Sequence, residues 1–137
     1  MKALLRDLAD RRACREAVDW LNTQASPEDA WRECERGDWM LWYLKYTEKL
    51  DTKKIVKIAC ECARLALKYV PEGEKRPLAA IELAERWADG EAVSVAELDA
   101  AYVAYYAYAA NAANAAVLRQ SADIVRKHFP EFINLKS

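Results

Sequence analysis

The sequence predicts an all-α protein: a single compact bundle of five or six helices around a long alanine-rich C-terminal helix, with residues 1–137 forming one domain. Three observations carry this expectation. Glycine and proline total seven in 137 residues, and almost all fall where a helix should begin or end. Capping residues stand at the start of most apolar-periodic stretches. From Ala100 to Ala116 the chain reads AAYVAYYAYAANAANAA, rich in the residue of highest helix propensity. Tyr102, Tyr105, Tyr108, Asn111 and Asn114 recur there every third position. A three-residue repeat drifts around a helix of 3.6 residues per turn, so this segment is expected to meet neighbours on nearly every side.

The first helical region runs from about Lys2 to Thr23 with a break near Asp10, and Leu5, Leu8, Ala13, Ala17, Trp20 and Leu21 are its inner positions. Ser26 caps the next helix, Pro27 suits its first turn, and Glu28 and Asp29 suit its positive end. Gly37 is expected to stop it. Asp38 then caps a helix over about residues 39–49, where Trp39, Trp42, Tyr43 and Tyr46 form one broad aromatic face expected to be core. These two roles account for Arg36-Gly37-Asp38 without an adhesion motif.

Asp51 or Thr52 opens a long helix to about Tyr69, with an apolar row of Ile55, Ile58, Cys62, Leu65 and Tyr69. The opposite arc carries Lys53, Lys57, Glu61, Arg64 and Lys68. Residues 70–75, VPEGEK, are the strongest break. Pro77 is a first-turn residue for a helix ending before Gly90, with Leu78, Ile81, Ala84 and Trp87 inward. Ser94 and Glu97 have capping-box spacing and open the last helix, from about Val95 towards Phe129, which Pro130 ends.

Twenty-one Lys and Arg oppose 22 Asp and Glu for a net charge of −1, with no long run of either sign, so no duplex nucleic acid is expected as a partner. MKALLRDLADRR at the N-terminus carries charges through its apolar positions and lacks a signal-peptide cleavage site. No apolar run reaches the roughly 18 residues a membrane span needs. The expected setting is cytoplasmic, a bacterial host cytosol, where Cys14, Cys34, Cys60 and Cys62 stay reduced. Cys60 and Cys62 point about 200° apart on a helix and cannot easily grip one ion together. The four cysteines are expected as small apolar filler, with a four-cysteine zinc site the alternative, and no metal or cofactor is expected.

Asn111 and Asn114 are poor interior helix formers that need partners, either across a helix interface or in a ligand. Lys57, Arg64 and Lys68, joined by Lys53, form a basic stripe. It suits phosphate, an acidic protein surface or single-stranded nucleic acid, or else a solvated face paired locally with Glu61. Lys75 and Arg76 set two cations beside the open N–H groups of the helix at Pro77, a sharper anion site. His128, the only histidine, is favoured near a helix C-terminus by the dipole. The sequence shows no glycine-rich phosphate loop, nucleophile elbow or histidine pair, so no catalytic residue is assigned and no enzyme is expected.

Trp39-Met40-Leu41-Trp42, Lys68-Tyr69-Val70-Pro71, Arg76-Pro77-x-x-Ala80-Ile81, Trp87-Ala88-x-Gly90 and the alanine/tyrosine tail together resemble a known family. They are similar to small helical proteins, frequent in phages and bacteria, labelled as immunity proteins. The resemblance covers about Cys14 to Arg126 and implies an all-helical, phage-borne accessory protein. The leading expectation is a non-enzymatic binding protein, a phage counter-defence factor that blocks or sequesters a host defence protein or a small anionic signalling nucleotide. A toxin-neutralising immunity protein, a small hydrolase or nucleotide-handling enzyme, and a structural or assembly subunit are the alternatives, with a homo-oligomer left open.

Overall fold

The computed structural model describes residues 1–47, 50–97, 99 and 115–134. The stretch 100–114, with Asn111, Asn114 and the middle of the expected long C-terminal helix, lies outside the described residues. Within them the chain is helical, without strands: α1 (Lys2–Asp10), α2 (Arg15–Leu21), α3 (Pro27–Glu33), α4 (Gly37–Lys45), α5 (Thr52–Ala66) with a 3-10 turn (Leu67–Tyr69), α6 (Arg76–Ala88) and α7 (Ala115–His128). The all-α class is therefore correct. No helix among the described residues is long and apolar enough to cross a membrane.

The break near Asp10 is sharper than a kink and makes two helices of the first region. Arg12 takes a left-handed φ of 59°, its N–H bonds Ala9 O (3.1 Å), and the Ala13 N–H bonds Leu8 O (3.0 Å). This pair of bonds is a Schellman ending, which closes α1 by satisfying its last carbonyls. Three expected caps form. Ser26 Oγ accepts from the Asp29 N–H at 3.1 Å, Asp51 Oδ1 from the Lys53 N–H at 2.9 Å, and Ser94 Oγ from the Glu97 N–H at 3.1 Å. Each satisfies one open donor of a first turn.

Gly37 corrects the sequence reading. α3 ends at Glu33 with Cys34 already extended, and Gly37 is the first residue of α4 behind Arg36. A Cβ there would lie 2.6 Å from Ser121 C and 2.7 Å from Ala122 N. The glycine is thus required by the backbone approach of α4 to α7, not by helix termination. Asp38 stands in the first turn of α4 without capping it. Its carboxylate instead accepts two hydrogen bonds from Arg36, at 2.9 and 2.8 Å.

α5 is held on two sides. Ile58 and Cys62 join the main core with Leu21, Trp31, Met40, Tyr43, Leu44, Ala122 and Val125. Val56, Cys60 and Ala63 form a second core with Ile81 and Ala88 of α6. The sequence reading found the first row and missed the second, whose members are small. Two positions placed inward by that reading are exposed, Tyr69 at 44% and Leu78 at 37%. The segment after α7 is tied to α3 and α4. Trp31 Nε1 donates to Phe129 O at 2.8 Å, and the Tyr43 hydroxyl donates to Ile133 O.

Candidate functional site

α1 to α4 are seven to nine residues long, and four of the five tryptophans of the chain occur on α2, α3 and α4. These rings meet in tilted pairs and do not fill the space between the helices. A cavity of about 390 Å³ opens between these helices, lined by Leu8, Ala17, Trp20, Trp31, Trp39, Met40, Trp42, Tyr43 and Phe132 among others. Its rings are tilted on one another: Trp20 on Trp39 at 5.9 Å, Trp31 on Tyr43 at 6.2 Å, and Tyr43 on Phe132 at 5.5 Å. Of the expected aromatic face of α4, Tyr43 is core, whereas Trp39, Trp42 and Tyr46 are half-buried.

The polar part of the lining is small and specific. Arg12, Cys14, Cys34, Arg36 and Asp38 contribute to it. The Arg36 guanidinium lies 4.4 Å from the Trp39 ring centroid and 3.8 Å from Glu16. The Asp38 hydrogen bonds hold its pKa above the usual arginine value. Burial raises the Cys34 pKa, keeping that thiol protonated. The far side of the same wall is secured by Arg126. Its Nη1 donates to Cys34 O at 2.6 Å and Trp31 O at 3.2 Å, so a cation closes the open carbonyl end of α3.

The basic residues that the sequence singles out lie outside this lining. At the start of α6 the anion is supplied from within: Glu74 accepts from the Arg76 backbone N–H at 3.0 Å and from its guanidinium at 2.8 and 2.6 Å. Lys75 is the exposed N-cap residue of that helix. Lys57 pairs with Asp89 at 2.8 Å, and Arg64 forks onto Glu85 at 2.9 and 2.6 Å. These bonds make the stripe a seam between α5 and α6. Glu61, expected to pair locally with Lys57 and Arg64, instead meets His128 Nε2 at 3.1 Å. Lys68 and Lys53 lie over Tyr69 and Trp87, at 5.2 and 5.7 Å.

Cys60 and Cys62 face opposite cores, as their spacing requires. Cys60 Sγ lies 3.8 Å from Ile81 O and Cys62 Sγ 3.7 Å from Ser121 O. Burial pushes each thiol up to about 11. Among the described residues, no group of three or more His, Cys, Asp or Glu could hold a metal ion. The cavity is not legible in the sequence because its signal is distributed: Trp20, Trp31, Trp39 and Trp42 sit on three helices. No protein family matches the chain, and no curated protein or solved structure matches it.

Proposed function

We propose that this chain is a non-enzymatic binding protein that sequesters a small molecule in the cavity between α1 and α4. The carrying observation is that cavity of about 390 Å³, walled by aromatic rings and furnished with few polar groups. Concave, mainly apolar sites of this size with a few placed polar groups are the usual form of a small-molecule site. The lining favours retention over turnover. Asp38 is engaged by Arg36, and burial raises the pKa of the Cys34 thiol, so neither is a ready base or nucleophile. Cys14, the exposed thiol of the lining, accepts the Ala17 N–H as the N-cap of α2. Joined to the resemblance to phage-borne immunity proteins, this reading makes the chain a counter-defence factor that withdraws a small signalling molecule in the bacterial cytosol. The basic stripe and the Lys75–Arg76 corner, whose Lys57, Arg64 and Arg76 have carboxylate partners, offer less to a protein partner or an anion.

Purified protein heated to release its contents tests the proposal, with mass spectrometry of the supernatant. The wild type should yield an intact small molecule in near-stoichiometric amount. Ala17→Phe, which places a ring in the cavity, should yield none while keeping its helical circular dichroism. Equal yield from both proteins, or steady conversion of the released molecule by the wild type, would refute the reading.

A further inference from the structure

We infer that the cavity takes a flat aromatic molecule carrying one anionic group, and that Arg12 receives the charge; this rests on the cavity being the binding site. The first observation is conformational. Arg12 occupies the residue after the C-cap of α1, in the left-handed region at φ 59°, as a non-glycine residue. The two Schellman hydrogen bonds around it use backbone atoms alone, so the helix ending asks only for a left-handed residue. Glycine adopts that conformation without a Cβ penalty, whereas arginine does not. The ending therefore gives no reason for a guanidinium at this position.

The second observation is electrostatic. Two cations line the cavity, and they differ in commitment. Arg36 makes two hydrogen bonds to Asp38 and stacks on Trp39. Arg12 is exposed and lines the same cavity, and its guanidinium forms no ion pair among the described residues. Arg36 is met by Asp38 and, at 3.8 Å, by Glu16, so among the described residues Arg12 is the lining cation without a carboxylate partner. A guanidinium fork suits a carboxylate or a phosphate, to which it donates two parallel bonds.

Size and shape supply the remainder. Trp20 and Trp39 meet at 48° with 5.9 Å between centroids, an arrangement that offers ring faces and edges to a flat guest. The volume lies near the lower end of the roughly 300–1,000 Å³ range of ligand sites, which suits one ring system with a small charged substituent. The charged group has two chemical sources, an aromatic carboxylate or a mononucleotide phosphate, and both present the same anion to Arg12.

Isothermal titration calorimetry on the full chain distinguishes them with two matched pairs: indole against indole-3-acetate, and adenosine against adenosine monophosphate. In at least one pair the anion should bind roughly tenfold or more tightly than its neutral partner, as expected for a charge-assisted fork. Arg12→Gly should abolish that preference, bringing the anion's affinity down to that of the neutral molecule on the same variant, while Arg15→Gln, a charge change outside the lining, should preserve it. Equal binding within both pairs, or a preference that survives Arg12→Gly, overturns the inference and leaves the cavity as a neutral-ligand site. Absence of binding by all four probes overturns the inference, while the reading beneath it stands or falls on the heat-release comparison of wild type with Ala17→Phe. The pair that shows the effect identifies the source of the anion.

Discussion

Replacing Gly37 with alanine tests the crossing of α4 and α7, on which the rear wall of the cavity depends. The added methyl would sit 2.6 Å from Ser121 C and 2.7 Å from Ala122 N, whereas carbon atoms pack best at about 3.5–4.0 Å. Both obstacles are backbone atoms, so no rotamer change relieves them and the helices must part by about 1 Å to regain contact distance. That movement disturbs Ala122 and Val125, each 0% exposed, and overpacking of this kind costs about 1–3 kcal/mol. Alanine's better helix propensity recovers at most about 1 kcal/mol, and less at a first helical position than in the interior. The expected net loss is about 1–2 kcal/mol, or roughly 3–6 °C in Tm for a domain of this length, read by thermal melts in far-UV circular dichroism. Gly73→Ala and Gly90→Ala are the matched controls. Both glycines have positive φ, 89° and 96°, and nothing within 4 Å of an added Cβ, so they report backbone strain alone. Adding Ser121→Gly to Gly37→Ala should recover only part of the loss, because the backbone obstacles persist. A Gly37→Ala protein melting at or above wild type would refute the close crossing of α4 and α7.

Arg126→Met keeps the side-chain stem but removes the donors to Trp31 O and Cys34 O. Thermal melts should show a loss of about 1–3 kcal/mol, the cost of leaving partly buried acceptors unpaired; an unchanged Tm would show that water replaces the guanidinium freely. A thiol reagent at neutral pH should titrate Cys14 rapidly in the folded protein and all four cysteines after denaturation, since Cys34, Cys60 and Cys62 are buried. Two fast thiols would contradict that burial. Stability should also fall in alkali. Cys60 and Cys62 have folded pKa values raised from 9.0 to about 11, so between about pH 9 and 11 the native state binds more protons than the unfolded state. The stabilisation is complete below pH 9 and declines as pH rises to 11, by about 2–3 kcal/mol per thiol. Urea midpoints across that window should fall, and fall less in Cys62→Ala; a flat profile would show that the thiols are not desolvated.

Helix starts were legible in the sequence where a single local bond decides them. Ser26, Asp51 and Ser94 each cap a first turn two or three residues ahead, a distance over which the chain needs no knowledge of the rest of the fold. Gly37 was not legible, because glycine serves both helix termination and close backbone approach, and the atoms that decide between them belong to Ser121 and Ala122. The second buried face of α5 was hidden for a related reason: Val56, Cys60 and Ala63 carry too little apolar surface to stand out from the stronger Ile55–Ile58–Cys62 row. Charge was misassigned in partner rather than in place. Lys57 and Arg64 do lie along one face, but they find Asp89 at the C-cap of α6 and Glu85 on α6 instead of Glu61 on their own helix.

The cavity joins these two kinds of information. Its tryptophans are dispersed in sequence and converge only when α2, α3 and α4 pack, so their clustering is a tertiary fact. Arg12 is different, since its oddity is local: the break near Asp10 was readable, and a left-handed residue there calls for glycine or asparagine. Chains usually agree with such local rules where only stability is at stake, and depart from them where a side chain has another task. A glycine would end α1 at lower steric cost. Arg12 lines an aromatic cavity whose other cation is paired with Asp38, and among the described residues it makes no ion pair; that coincidence with a left-handed backbone favours ligand recognition over helix termination as the reason for the residue.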